Sequence, residues 1–259
     1  MFQSCRQVFV FIQETIAMLS RRQAETSVKL YLEMSLAADS FAGSLEEKGK
    51  DGTEYAHVAF ELLSQGYSLY EESVAEARAQ QRCIRMMIGT LLSCKALSKQ
   101  NYDTLTTKTA QFSAKVTNKA EQCQLVCLCA HLFYPTEGEN ASKYQNAQRA
   151  LECLQRSLKL ADACTSANAS NVQLFVDLME QYVLFFERRN PAITHAYITG
   201  LAALIKEHLN NASSFDGESL PVADAKAHFN ALMRYIKMKK TDPATAELFT
   251  PIQIESIGS

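Results

Sequence analysis

Glycine and proline are scarce in this sequence, with nine and five among 259 residues. Sheets and tight turns use more of both, so the shortage argues for long helices. No apolar run approaches the ~18 residues that a membrane span needs. The opening Met1-Phe2-Gln3-Ser4 lacks a charged stretch followed by an apolar one, so no signal peptide is expected. It runs at once into a helical pattern, which is the expectation for a fragment cut from a longer protein. A formal net charge of −2 gives no basic excess for holding nucleic acid. Eight cysteines follow no framework of fixed spacings and read as reduced core thiols of a cytosolic protein.

Catalytic signatures are also missing. There is no Gly-rich phosphate loop, zinc-protease helix pair, nucleophile elbow or CxxC pair. His57, His131 and His228 fall on separate helices, and His195 and His208 share one too far apart to converge. Glu207-His208 and Asp224 with His228 read as surface pairs. No enzyme activity, metal or cofactor is expected.

What is present is a hydrophobic fraction of 47%, enough for a large core, arranged at helical spacing. The pattern places helices over residues 7–19, 23–42, 53–77, 80–97, 101–116, 118–134, 142–163, 170–188, 190–210 and 221–240. Gly43 is read as a C-terminal stop, with an exposed loop to Gly52. Glu71, Glu72 and Glu76 form an acidic end, at the wrong end for the helix dipole. The stripe Tyr144, Ala147, Leu151, Leu154 and Leu158 faces inward, and Gln148, Glu152, Gln155 and Lys159 face water. Ser170 with Gln173 reads as a capping box opening a helix that is apolar on nearly every side, hence sandwiched. Asn190-Pro191 is expected to open the next helix, and residues 211–219 to form a polar loop.

About ten helices with short connections make sequence neighbours antiparallel. The expected fold is all-α, an α-solenoid of HEAT-like helix pairs over residues 1–240, with a largely irregular, loose tail over 241–259. A compact helical bundle is the rival. If pairs start at residue 3, second members begin near 23, 80, 118, 170 and 221.

Cys127-Leu128-Cys129-Ala130-His131-Leu132-Phe133-Tyr134 closes the helix that Asn118 and Glu121 open as a capping box. Cys123, Cys127 and His131 repeat at i, i+4 and i+8 on one face. At 1.5 Å rise per residue the outer two are about 12 Å apart, too far for one tetrahedral ion. Buried thiols and a half-buried histidine are the plainer reading. Pro135 and Thr136 to Asn140 make the loop that follows.

Cys129-Ala130-His131-Leu132-Phe133-Tyr134 resembles the C-terminal signature of the retromer scaffold family, vacuolar protein sorting-associated protein 35. Leu63 to Glu72, Glu152 to Ala161 and Val172 to Met179 resemble the same family in the same order. The resemblance implies a non-catalytic scaffold of the retromer endosomal sorting coat, acting in retrograde endosome-to-Golgi transport. It implies a partner, the phosphoesterase-fold subunit vacuolar protein sorting-associated protein 29, with His131, Leu132, Phe133 and Tyr134 as contacts or supports. Tyr134 stands where the family pattern has Trp. The resemblance also implies self-association through Glu71, Glu72, Lys115 and Lys119, with Asn118 where a third base is expected. Location would be cytoplasmic, peripheral on the endosome membrane and reached only through coat partners. Another helical-repeat adaptor with a different protein partner is the alternative.

Overall fold

The structure, a computed structural model, describes residues 2–135, 144–216 and 220–254. These are helical with no strand among the described residues. In chain order the helices are α1 (Phe2–Ser20), α2 (Ala24–Glu46), α3 (Thr53–Ser73), α4 (Ala77–Ser93), α5 (Lys99–Lys115) and α6 (Lys119–Phe133). There follow α7 (Ala147–Ala167), a 3-10 turn (Ala169–Val172), α8 (Gln173–Glu187), α9 (His195–Asp216), α10 (Leu220–Thr241) and the single turn α11 (Ala246–Phe249). The all-α expectation holds, and so do ten long helices among the described residues. The loop expected over 136–140 and the helix start at Ser142 lie outside the described residues.

The chain divides into two compact units. The first comprises Met1–Thr117 with His131–Gln145, and the second Asn118–Ala130 with Asn146–Ser259. Each has the neighbour-on-neighbour packing of the α-solenoid class. In the first unit α2 lies against α1, α3 and α4, and α4 lies against α5. The α2–α3 contact is the most extensive. Gly66 permits it, because a Cβ there would stand 3.2 Å from the Cβ of Tyr31. Tyr67 and Thr109 share a 2.5 Å hydrogen bond between α3 and α5, and the Tyr70 and Phe112 rings meet at 4.7 Å.

In the second unit α8 touches α7, α9 and α10. Phe175, Val176, Met179, Tyr182 and Phe185 on it are all completely buried. This is the sandwiched helix that its all-round apolar sequence demands, each such Phe contributing roughly 1.5–3 kcal/mol of burial. On α7 the buried stripe holds Leu151 and Leu154 as expected but turns toward Ser157, leaving Leu158 half-buried. The Ser157 hydroxyl donates to the Cys123 carbonyl at 3.1 Å, and the Cys123 thiol donates to the Ser157 carbonyl at 3.2 Å. A polar residue that satisfies itself against the facing backbone can occupy a core position.

Several helix ends differ from expectation. Helix α2 runs through Gly43 because Leu45 beyond it is buried, and Gly49, at φ 68°, supplies the left-handed turn instead. Helix α3 stops at Ser73, where Val74 is extended. Glu76 therefore belongs to α4, where its carboxylate accepts the Arg78 and Ala79 amides at 2.9 and 2.6 Å. That is the favourable end of a helix for an anion. Asn168, not Ser170, caps the chain before α8, accepting the Ser170 amide at 3.0 Å and starting a 3-10 turn.

Pro191 lies before α9, not in its first turn. Arg189 takes a left-handed φ of 57°, and the buried Asn190 side chain accepts the Ala192 amide, so the chain turns before helix resumes. Helix α9 continues through residues 211–216, with Ala212 buried. Residues 217–219 of that expected loop lie outside the described residues. The tail over 242–254 is irregular apart from α11, but it is not loose. Phe249 and Ile252 are fully buried, and the Gln253 amide donates to the Thr199 hydroxyl at 3.1 Å.

Candidate partner-binding surface

Helix α6 is set at its start by Asn118, whose side-chain oxygen accepts the Glu121 amide at 3.1 Å. Its body belongs to the second unit and is thiol-rich. Cys123, Cys127 and Cys129 are buried free thiols. Burial pushes Cys123 up to about 12 and Cys127 higher still, so neither forms the thiolate that nucleophilic or metal-binding chemistry uses. No group of three His, Cys, Asp or Glu side chains among the described residues is placed to hold a metal ion.

The last turn of α6 belongs to the first unit. Its exposed backbone carbonyls need partners, and Tyr102 supplies one by donating its hydroxyl to the Leu132 carbonyl at 2.9 Å. Tyr102 stacks flat on Tyr144 with ring centroids 3.9 Å apart. Tyr144 in turn donates to the Leu97 carbonyl. Burial pushes the Tyr144 phenol up to about 12 and Tyr102 further, so both remain neutral donors. Two tyrosines and two carbonyls thus clamp the end of α6. Nothing in the spacing of Tyr102, Tyr144 and Leu132 announces this.

Within that clamp the four expected contact residues separate. Leu132, Phe133 and Tyr134 are 0%, 3% and 7% exposed. These three side chains lie in the core and not on an exposed edge. The wide apolar flank of the last turn packs inward, because leaving two rings in water forfeits their burial energy. His131 alone of the four is half-exposed.

The second expected set is only partly assembled. Glu71 and Glu72 lie exposed on the last turn of α3, and Lys115 is the exposed last residue of α5. The Glu71 carboxylate meets the Lys108 ammonium at 2.9 Å. That hydrogen bond holds the Glu71 carboxyl below its usual range, and the charge of Lys115 adds to the effect. The Lys108 ammonium also stands 5.6 Å from the Phe112 ring centre. Lys108 was not singled out from the sequence, although its i, i+4 spacing from Phe112 is visible there. Lys119 belongs to the second unit, where its ammonium donates to the Gln122 side chain at 3.1 Å.

Two histidines depart from the surface pairs expected of them. His208 stacks on Phe175 with ring centroids 4.7 Å apart. His228 faces α8, with Asp177 at 3.7 Å, Glu180 at 3.8 Å and the Gln173 amide at 2.8 Å. Its expected partner Asp224 was one turn away on the same helix; the facing helix supplies the partners instead.

A family model described as vacuolar protein sorting-associated protein 35 matches residues 1–208. The chain is 31% identical over 261 residues to vacuolar protein sorting-associated protein 35C of Arabidopsis thaliana, covering 96% of this chain and 30% of that protein. Similarity to vacuolar protein sorting-associated protein 35 of Schizosaccharomyces pombe is 30% over 217 residues, or 83% of this chain and 25% of that protein. The chain thus spans less than a third of the length of these relatives. With four-fifths of its residues inside the family match, the chain belongs to the vacuolar protein sorting-associated protein 35 family.

Proposed function

We propose that this chain is a non-catalytic scaffold of the retromer endosomal sorting coat. Its helical stack binds the phosphoesterase-fold subunit, vacuolar protein sorting-associated protein 29, in support of retrograde endosome-to-Golgi transport. The family match over residues 1–208 carries this reading, since it takes in all of α1 to α8 and the His131 turn. Neighbour-on-neighbour helix packing supports it as well, because such stacks work by presenting side chains along a surface. Of the signature residues His131 is the contact. Leu132, Phe133 and Tyr134 are its supports, held from beneath by the Tyr102 and Tyr144 clamp. The scaffold acts on the cytoplasmic side, peripheral to the endosome membrane through coat partners. No described helix is long and apolar enough to cross a membrane.

A pull-down with the recombinant phosphoesterase-fold subunit tests the reading. Wild-type chain retains the subunit, and His131→Ala combined with Phe133→Ala retains much less. Phe133→Ala alone lowers stability by about 3–5 kcal/mol, so helical content is followed in parallel. Full affinity in the folded double variant would remove these residues from the contact. Failure of the folded wild-type chain to bind would leave a helical-repeat adaptor for a different protein.

Self-association through Glu71, Glu72, Lys115 and Lys119 belongs to the same proposal. All four are exposed, and opposite charges at a rim set register and partner choice. Sedimentation velocity at low salt is expected to show a dimer that Glu71→Lys with Glu72→Lys dissociates. A monomer at every concentration would discard it.

A further inference from the structure

The second unit carries a groove between α8 and α10. It encloses about 310 Å³. Its floor is apolar, made by Val183 and Leu184 of α8 with Ala231 and Leu232 of α10. Volume at the low end of ordinary ligand sites suits one or two side chains and is small for a cofactor.

The two ends of the groove differ in charge. At one end Glu187 is already answered. It bonds the Lys239 ammonium at 2.5 Å, accepts the Tyr235 hydroxyl at 2.6 Å and has the Arg188 charge beside it. Two turns earlier on α8, Glu180 stands over the other end with a side chain 55% exposed. Asp177, 42% exposed, is one turn further back. The only basic group set against that pair among the described contacts is the His228 imidazole, at 3.7 and 3.8 Å. With His228 neutral, two carboxylates meet no permanent cation across the groove. With it protonated, one negative charge remains in excess.

We infer that this groove is a docking site for a protein segment carrying a Lys or Arg beside an aliphatic side chain. The aliphatic group seats on Val183, Leu184 and Leu232, and the cation lies against the Glu180 carboxylate. Charge complementarity selects this occupant. Asp177 accepts the Gln173 side-chain amide at 2.5 Å, which leaves its charge in place; an acidic segment would meet that negative end and a purely apolar one would add no cation to it. Polarity along the groove also fixes direction, since the Glu187 end is already compensated. The inference does not rest on the His131 reading, because every residue it uses lies in the second unit.

The test is a random heptapeptide library displayed on phage and panned against the full chain, followed by fluorescence polarisation of the recovered peptides. Recovered sequences are expected to share Lys or Arg next to Leu, Ile or Met. Their binding falls about tenfold on Glu180→Lys, as expected for loss and reversal of a charge contact. It also falls on Ala231→Phe, which plugs the floor at an exposed position. Exchanging the peptide base for Glu restores binding to Glu180→Lys. Helical circular dichroism stays unchanged in both variants. No enriched family, enrichment without a base, or equal binding to either variant would overturn the inference. So would concentration-dependent dimerisation abolished by Ala231→Phe, which would make the occupant a second copy of the chain.

Discussion

Asp39 is 5% exposed, and its carboxylate accepts two backbone amides, Lys95 at 2.8 Å and Ala96 at 2.9 Å. It ties the segment after α4 to α2 across more than fifty residues of sequence. Hydrogen bonds to a charged group contribute about 1.5–3 kcal/mol, and a buried amide left without a partner is costly. Asp39→Ala is expected to lower the unfolding free energy by about 3 kcal/mol in urea titrations. Asp39→Asn, which keeps one acceptor, is expected to lose less. An unchanged midpoint in both would remove Asp39 as the tether.

Glu25 and Arg82 form a two-pronged pair, with Nε–Oε1 at 2.6 Å and Nη2–Oε2 at 2.9 Å. The hydrogen bond from Arg82 holds the Glu25 carboxyl below its ordinary value. A depressed carboxyl stabilises the fold above its unfolded pKa, and that stabilisation is lost as pH falls through the folded one. Both side chains are more than a third exposed, so the effect is small and screened by salt. The wild-type protein is therefore expected to melt slightly above Arg82→Ala at about pH 7, the gap closing by about pH 2. A gap that widens on acidification would contradict the pairing.

At the scale of elements, periodicity in the sequence located the ten long helices, and the apolar girdle of α8 announced its burial. What periodicity could not place were the ends. Gly43 looked like a stop, yet a buried Leu45 pulled the helix past it. Glu76 looked like the tail of α3, yet its carboxylate caps α4. For Gly43 a contact from elsewhere outweighed a local preference of about 1 kcal/mol, and for Glu76 one local preference, the N-cap, prevailed over continuation of α3. The site was legible to the same degree. The His131 turn could be found on its helix, but not the bond from Tyr102 to its Leu132 carbonyl or the stacking of Tyr102 on Tyr144, which no spacing links to it. The groove between α8 and α10 was invisible because Asp177, Glu180 and His228 meet only when distant segments pack.

Glycines make the same point testable. Gly89 lies exposed within α4 with nothing within 4 Å of an added Cβ. Gly89→Ala is expected to stabilise by up to about 1 kcal/mol through helix propensity. Gly52 is the opposite case, since a Cβ there would stand 2.5 Å from the Ala42 carbonyl oxygen. Gly52→Ala is expected to destabilise by about 1–3 kcal/mol, because the atom in the way is backbone. Thermal unfolding of the two variants side by side checks both signs.

At the scale of the whole molecule, no group of three His, Cys, Asp or Glu side chains among the described residues is placed to hold a metal ion. Burial holds Cys123 and Cys127 protonated, and Glu71 and Glu187 are spent on neighbouring cations. On the proposed reading function rests on which partner the surface fits, and the phosphoesterase-fold subunit is the first to try. The deciding measurement is a calorimetric titration of the full chain with the phosphoesterase-fold subunit, repeated with His131→Ala. Saturable heat is expected for the wild type, with affinity about tenfold weaker for the folded variant, the size of one lost central contact. Absence of heat with folded wild-type chain, or equal affinity for both proteins, would contradict it.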